Sequence, residues 1–200
     1  MKVAIVGGGT GGVTCAMALV SRSHEWIKVD IIHDPTVPIF GVGESLGHDF
    51  VQLIRGATQF SFPFDLEKLN AKIKQGIMFV DWQQSQNYPD STNGYMTLSC
   101  QALHADTFAL RDFVLPRMAH YWSHKFKEIH GHVDRIWQDE YKAYIQLGEK
   151  ALEYDFVIDA RGIPKSVDDT FEYVDSIPVD SAVLNMCPHP GDWDFTYSLR

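Results

Sequence analysis

Short apolar runs alternate with glycine-rich or polar segments along the first part of the chain. The run Lys2–Val6 leads directly into Gly7–Gly12, and apolar residues at helical spacing follow. This order predicts a strand, a sharp turn and a helix. The buried face of that helix is expected to carry Cys15, Ala16, Leu19 and Val20.

Further strands and helices follow from the same kind of pattern. The predicted strands are Trp26–Ile32, Lys74–Trp82, Tyr95–Ser99, Lys125–Ile129, Val133–Trp137, Tyr141–Leu147 and Glu153–Asp159. The first of these is expected to lie parallel to the strand Lys2–Val6. Val133–Trp137 and Tyr141–Leu147 are expected to form a hairpin. The predicted helices are His48–Ile54, Leu66–Lys72 and a long one opened by His104–Thr107, with Asp106 as N-cap and Pro116 as an interruption. The polar stretch Gln83–Asn93 is predicted to be a loop.

The glycine segment after the first strand has the chemistry of a dinucleotide-binding turn. Gly7 would permit the sharp turn, Gly9 would let the backbone approach a pyrophosphate, and Gly12 would let the helix pack closely. The helix start would offer free N–H groups and a positive dipole end to the phosphates. A tight turn that binds nothing is the alternative. The pattern favours an α/β fold that begins with a Rossmann-like unit.

Two residues at the end of the second predicted strand are candidates to hold a ribose. An acidic residue about 20 positions past the glycines takes the ribose hydroxyls in such sites, and Asp34 lies 22 positions after Gly12. His33 competes with it, because the last side chain of the strand would point toward the same place. Alternatively, Asp34 is only a turn residue before Pro35.

Composition and charge narrow the function classes. The 200 residues suit one domain, and the apolar content of 45% is that of an ordinary globular protein. A net charge of −9 argues against nucleic acid or an anionic membrane surface as partner. The three widely spaced cysteines predict no disulfide framework and favour a reducing cytoplasm. No apolar segment approaches the length of a membrane span.

Histidines are the only hint of a metal site, and the hint is weak. His120 and His124 are four apart in a predicted helical region, and His130 and His132 are two apart on a predicted strand. A third ligand with sensible spacing is not evident, so we expect no metal site.

Four stretches together carry a family resemblance. They are Val6–Gly12, Ile39–Ser45 with its Gly-Val-Gly-Glu loop, Ile73–Trp82 with Lys74 before Ile-x-Phe-Val-x-Trp, and Val157–Gly162. In this order and spacing they resemble the flavin-dependent halogenases, the tryptophan halogenase family within the two-domain flavin monooxygenases. The loop and the lysine strand are more specific than the glycine motif, which many flavoproteins share.

The resemblance implies an architecture for the chain. It implies a Rossmann-like FAD-binding fold of the two-domain flavin monooxygenase type, with an antiparallel sheet inserted. Residues 1–35 and 105–165 would form the dinucleotide-binding core, and 60–104 and 166–200 would begin the substrate side. Members of the family are far longer than 200 residues, so the chain is expected to be the N-terminal portion of a longer protein.

The resemblance also assigns cofactor contacts by position. Gly7, Gly8, Gly9, Thr10, Gly11 and Gly12 would cradle the pyrophosphate of FAD, and His33 or Asp34 would hold the adenosine ribose. Val37 to Ser45, including Gly43 and Glu44, would be a strap along the flavin. Ile129 would touch the adenine. Asp159 and Gly162 would lie near the ribityl chain. The family usually has Glu at the position of His33, and Ser or Thr at that of Arg161.

Lys74 matches the catalytic lysine of the family. Reduced FAD, O2 and chloride or bromide would yield hypohalous acid, and the lysine would hold it by hydrogen bonding or become a haloamine beside an aromatic or indolic substrate. A surface lysine without a role is the alternative. A separate flavin reductase would supply reduced FAD, and a homodimer is possible.

One motif of the family is missing. Its Trp-x-Trp-x-Ile-Pro segment has only a faint echo at Trp193–Phe195. A flavin monooxygenase that hydroxylates its substrate, and an FAD-binding module without catalysis, therefore stay open as alternatives.

Overall fold

The computed structural model describes residues 1–39, 43–80, 93–162, 181–184 and 196–199. The strands are β1 (Lys2–Val6), β2 (Lys28–His33), β3 (Gly43–Leu46), β4 (Lys72–Val80), β5 (Asn93–Asp106), β6 (Phe126–His130), β7 (Arg135–Gln138), β8 (Ala143–Leu147), β9 (Lys150–Tyr154), β10 (Phe156–Asp159), β11 (Ser181–Leu184) and β12 (Thr196–Leu199). The helices are α1 (Thr10–Arg22), α2 (His48–Thr58) and α3 (Thr107–Tyr121).

A parallel sheet in the order β10-β1-β2-β6 forms the centre of the fold. Val3–Val6 and Val29–His33 are buried, which is the expected result for parallel strands that are covered on both faces. The predicted α/β fold and the parallel pairing of the first two strands are therefore confirmed.

Helix α1 covers one face of the sheet through a slightly different set of residues from the predicted one. Its buried residues are Gly12, Val13, Ala16, Met17 and Val20. Ala16 and Val20 are buried as expected, whereas Cys15 and Leu19 are only partly buried at the margin of the core. The helix contacts α2 and α3 as well as the sheet, and these neighbours decide which of its sides is enclosed.

The opposite face of the parallel sheet packs on an antiparallel sheet, β7-β8-β9. The predicted hairpin is confirmed as β7 and β8. The single strand predicted at Glu153–Asp159 is wrong, because the chain turns at Asp155 between β9 and β10. The Asp155 carboxylate accepts hydrogen bonds from the Lys2 N–H at 2.6 Å and the Lys142 ammonium at 2.7 Å, which anchors the turn between the two sheets.

A second antiparallel sheet, β3-β5-β4, leads into α3. The N-cap prediction is confirmed: the Asp106 carboxylate accepts hydrogen bonds from the Phe108 and Ala109 N–H groups at 2.7 and 3.1 Å. Strand β5 runs from Asn93 up to this cap, so His104 and Ala105 belong to the strand rather than to the helix opening.

The helix predicted at Leu66–Lys72 is wrong. Only a single 3₁₀ turn, Glu67–Leu69, forms there. Asn70 takes a left-handed conformation with φ of 45°, which ends the turn, and β4 begins at Lys72. Residues 81–92, which include most of the predicted loop, lie outside the described residues. Within the described part of the chain, no helix is both long enough and apolar enough to cross a membrane.

Candidate functional site

The turn between β1 and α1 depends on close backbone contacts at two glycines. Gly7 has φ of +122°, and a β-carbon there would lie 2.4 Å from the Ala160 carbonyl oxygen. A β-carbon on Gly12 would lie 2.0 Å from the Gly7 carbonyl oxygen. Only glycine satisfies both positions, so the structural roles predicted for Gly7 and Gly12 are confirmed.

The outer side of the same turn is open. A β-carbon on Gly9 or Gly11 would meet no atom within 4 Å, among the residues described. Gly9 is the N-cap of α1, and the first turn, which starts at Thr10, has no side-chain cap and no acidic residue. The N–H groups of this turn can therefore receive an anion, and the geometry fits the pyrophosphate of a dinucleotide.

A cluster of His33, Glu128 and His130 lies beside this turn. The buried His33 ring packs against Gly8, where a β-carbon would be 2.8 Å from its Cγ atom. His33 Nε2 lies 2.7 Å from Glu128 Oε1, and His130 Nε2 lies 2.9 Å from the same oxygen. The hydrogen bond from His33 is the main reason that the pKa of the Glu128 carboxyl lies below its usual value.

Sequence reasoning missed Glu128. The residue lies one position before Ile129 in an unremarkable strand pattern, and its closeness to His33 depends on β6 pairing with β2. The prediction that His120 and His124 share a helix is wrong, since α3 ends at Tyr121 and His124 contacts Glu25 instead.

Asp34 is engaged in its own turn. Its Oδ1 atom accepts hydrogen bonds from the Thr36 N–H at 2.8 Å and the Thr36 hydroxyl at 2.6 Å. Its Oδ2 atom lies 3.3 Å from His132 Nδ1. The hydrogen bond from the Thr36 hydroxyl is the main cause of the lowered pKa of Asp34. These contacts match the turn-residue alternative, and the ribose role stays a prediction.

The other predicted cofactor contacts lie around the same end of the sheet. Ile129 packs into the cluster on the β7-β8-β9 side, so its side chain is on the face opposite His33. Asp159 ends β10, and Arg161 binds both of its carboxylate oxygens, at 2.9 and 2.6 Å. Gly162 has a φ of +88°. The side chain of Val37 is half exposed.

Two predicted residues from separate motifs are in contact. Gly43, Glu44 and Ser45 lie on β3, and Lys74 lies on β4 just before a register shift. Lys74 Nζ donates a hydrogen bond to the Ser45 hydroxyl oxygen. Burial lowers the pKa of the Lys74 ammonium below its usual value, because desolvation disfavours the charged form. Residues 40–42 of the strap, and Trp193–Phe195, lie outside the described residues.

The sequence profile described as tryptophan halogenase matches residues 2–132. The chain belongs to the tryptophan halogenase family. A curated relative, the tryptophan 6-halogenase ThaL of Streptomyces albogriseolus, is 26% identical over 129 residues, which are 62% of this chain and 23% of ThaL.

Solved tryptophan halogenases share the fold. Tar14, a tryptophan C-6 flavin-dependent halogenase from taromycin biosynthesis, superposes with a TM-score of 0.60 at 17% identity, covering 80% of this chain and 42% of Tar14. SttH, a tryptophan 6-halogenase from Streptomyces toxytricini, superposes with a TM-score of 0.59 at 17% identity, covering 80% of this chain and 44% of SttH. The chain thus spans less than half the length of these relatives. At such identities the likeness supports the predicted fold, a halogenase-type α/β fold with a parallel sheet.

Proposed function

We propose that this chain forms the FAD-binding part of a flavin-dependent halogenase that acts on an aromatic or indolic small molecule. The observation that carries the proposal is the contact between Lys74 and Ser45. It joins the lysine of the Ile-x-Phe-Val-x-Trp strand to Ser45, the last residue of the strap, directly after the Gly-Val-Gly-Glu loop. Named relatives support it: Tar14 is a flavin-dependent halogenase, and the halogenase PltM has been solved with FAD.

The open glycine turn would hold the cofactor. Gly7–Gly12 would bind the pyrophosphate, with Gly9 and Gly11 offering the open surface on which it rests. His33 or Asp34 would lie near the adenosine ribose, and the backbone of Ile129 near the adenine. Asp159 and Gly162 would lie near the ribityl chain, and the strap Val37 to Ser45 would lie along the flavin. Bound reduced FAD would supply hypohalous acid from O2 and chloride or bromide.

Lys74 would then direct the hypohalous acid to the substrate. Its ammonium can donate a hydrogen bond to the oxygen of that acid and polarise the oxygen–halogen bond. Alternatively, the neutral amine can take the halogen and become a haloamine, with hydroxide as the leaving group. The lowered pKa of Lys74 increases the fraction of neutral amine at a given pH. Both roles need the amine held in one place, and Ser45 provides the contact that does this.

The test is a product analysis with the protein at its full natural length. With reduced FAD, O2, bromide and a panel of aromatic and indolic compounds, we expect a product in which bromine replaces a ring hydrogen, seen by mass spectrometry. Omitting bromide while keeping reduced FAD is the control. An oxygenated product would instead support the hydroxylase alternative, and stoichiometric FAD binding without any product would support the non-catalytic module.

Ser45→Ala tests the contact on Lys74. Removing the hydroxyl leaves the ammonium free to move, so we expect bromination to slow by about 10- to 100-fold, the range for a single hydrogen bond to a charged group. FAD affinity, measured by fluorescence quenching, should change little. Ser45→Thr keeps the hydroxyl and should retain most activity. Equal rates for Ser45→Ala and the parent protein would rule out this positioning role.

The remaining partners follow from the same proposal. The chain would take reduced FAD from a separate flavin reductase, and it would work in the cytoplasm as a homodimer.

A further inference from the structure

We propose that Glu128, held in place by His33, supplies the carboxylate that binds the hydroxyl groups of the adenosine ribose of FAD. The inference rests on the proposed FAD binding and adds the residue that binds the ribose hydroxyl groups. Related dinucleotide sites place an acidic side chain at the end of the second strand. This chain has a histidine there, and a carboxylate reaches the same place from the neighbouring strand.

The sheet brings the two side chains together at its carboxyl-terminal edge. Ile31 pairs with Glu128 and His33 with His130, so the three polar side chains of the cluster project from the same face of β2 and β6. That face also carries α1, and the His33 ring touches Gly8 of the glycine turn. In a parallel α/β sheet, ligands bind at this edge. The cluster therefore lies beside the expected pyrophosphate position.

Hydrogen bonding leaves one oxygen of Glu128 available. His33 and His130 both contact Oε1, at 2.7 and 2.9 Å, and Oε2 has no partner among the described residues. The side chain of Glu128 is 24% exposed, whereas that of His33 is 8% exposed. The imidazole is thus enclosed and occupied, whereas the Glu128 side chain is partly exposed and keeps one oxygen that can accept a new hydrogen bond. A ribose hydroxyl is a donor that suits such an acceptor.

The pattern of charge agrees with this assignment. Hydrogen bonds from the two histidines keep the pKa of Glu128 low, so the side chain remains a carboxylate at neutral pH. Asp34 is the acidic residue that directly follows His33, but Thr36 and His132 already engage its two oxygens. Glu128 is therefore better placed than Asp34 to accept new hydrogen bonds.

The same three side chains have the donor types of a zinc site, and the distances favour hydrogen bonds instead. Ligand atoms about 2.0–2.1 Å from a tetrahedral zinc ion lie roughly 3.3 Å from one another. The Glu128 oxygen lies 2.7 and 2.9 Å from the two imidazole nitrogens, closer than ligands to one ion would be. Ligand atoms of all three residues lie within 4.8 Å of one another, so zinc binding is measured alongside FAD binding.

The experiment compares FAD with an FAD analogue that lacks the 2′-hydroxyl of the adenosine ribose. Both are titrated into the protein at full natural length, and affinity is followed by flavin fluorescence and calorimetry. We expect the parent protein to bind FAD about 10- to 100-fold more tightly than the analogue, the range for a hydrogen bond to a charged group. Glu128→Gln should lose most of this preference. Glu140→Gln, an exposed turn residue, should keep it.

His33 is tested as a positioning residue. His33→Gln keeps a donor near Glu128 and should retain part of the preference for FAD, whereas His33→Leu should lose it. The ratio of the two affinities is the readout, since a general loss of packing would weaken both ligands equally. Thermal unfolding without FAD identifies any variant that fails to fold.

The possible outcomes separate this inference from the proposed function. An unchanged preference in folded Glu128→Gln overturns the role of Glu128, and a loss of preference only in Asp34→Asn transfers the role to Asp34. Tight binding of one zinc ion that FAD displaces, and that Glu128→Gln abolishes, also overturns it. If the parent protein binds no FAD, the proposed function itself fails.

Discussion

Lys74→Ala is expected to lower the rate of bromination at least a hundredfold or so, while FAD binds with unchanged affinity. Loss of a positioned proton donor costs about 10²- to 10⁴-fold in rate. Lys74 is the only group on the described part of β4 that combines partial burial, a lowered pKa and a contact to the strap. Its side chain does not belong to the glycine turn, so cofactor affinity should not depend on it. Steady-state product formation and FAD titration measure the two quantities.

A matched pair of variants controls the Lys74 result. Lys150→Ala removes an exposed lysine of β9 and should leave bromination unchanged. Lys74→Arg keeps a cation but cannot form a haloamine in the same way. Retained activity in Lys74→Arg would favour the hydrogen-bonding role, and its loss would favour the haloamine role. Full activity in folded Lys74→Ala would exclude both roles.

Gly9→Ala and Gly12→Ala are expected to impair different properties: the first weakens FAD binding, and the second destabilises the fold. A methyl group on Gly9 meets no atom of the protein within 4 Å, so the fold without cofactor should survive. The methyl would occupy the position proposed for the pyrophosphate and displace it from N–H donors worth about 1.5–3 kcal/mol each. We expect FAD affinity to fall at least about a hundredfold, with the unfolding temperature of the cofactor-free protein nearly unchanged.

Gly12→Ala should instead damage the fold itself. Its β-carbon would lie 2.0 Å from the Gly7 carbonyl oxygen, and the Gly7 N–H is held by the Ile32 carbonyl at 2.8 Å. The backbone cannot move aside cheaply, so we expect a loss of about 3 kcal/mol in the free energy of unfolding. Denaturant titration measures this loss.

Gly11→Ala is the stability control for Gly12→Ala. Its β-carbon would have open space, and alanine is about 1 kcal/mol better than glycine in a helix. The cofactor-free protein should therefore be as stable as the parent or more so. If Gly9→Ala bound FAD as tightly as the parent protein does, the pyrophosphate would have to lie elsewhere.

Local rules explain why the first part of the chain was predictable. The turn after β1 needs glycine at Gly7 and Gly12 because backbone atoms lie within 2.0–2.4 Å of where a side chain would begin. Asp106 caps α3 because its carboxylate reaches N–H groups two and three residues later. The contact at Gly12 and the Asp106 cap involve neighbours in sequence, and Gly7 needs its φ of +122° within one short turn, although the atom that a side chain there would strike belongs to Ala160. Residue types and spacing therefore carry the information for both features.

Longer-range contacts explain where the predictions were wrong. The run Glu153–Asp159 is continuously strand-like, yet Asp155 divides it because Lys2 and Lys142 bind its carboxylate. The segment Leu66–Lys72 has a helical pattern, but β4 begins at Lys72 to pair with β5. In each case a partner distant in sequence overrides a local preference worth only a fraction of a kcal/mol per residue.

Residue types at short, regular spacing were enough to specify the glycine turn, the parallel pairing of β1 with β2 and the family to which the chain belongs. The contacts of Lys74 with Ser45 and of Glu128 with His33 form only in the folded chain. These residues are 29 and 95 positions apart. Side chains so distant in sequence meet only when strand order and register are set, and burial of the whole core selects that order.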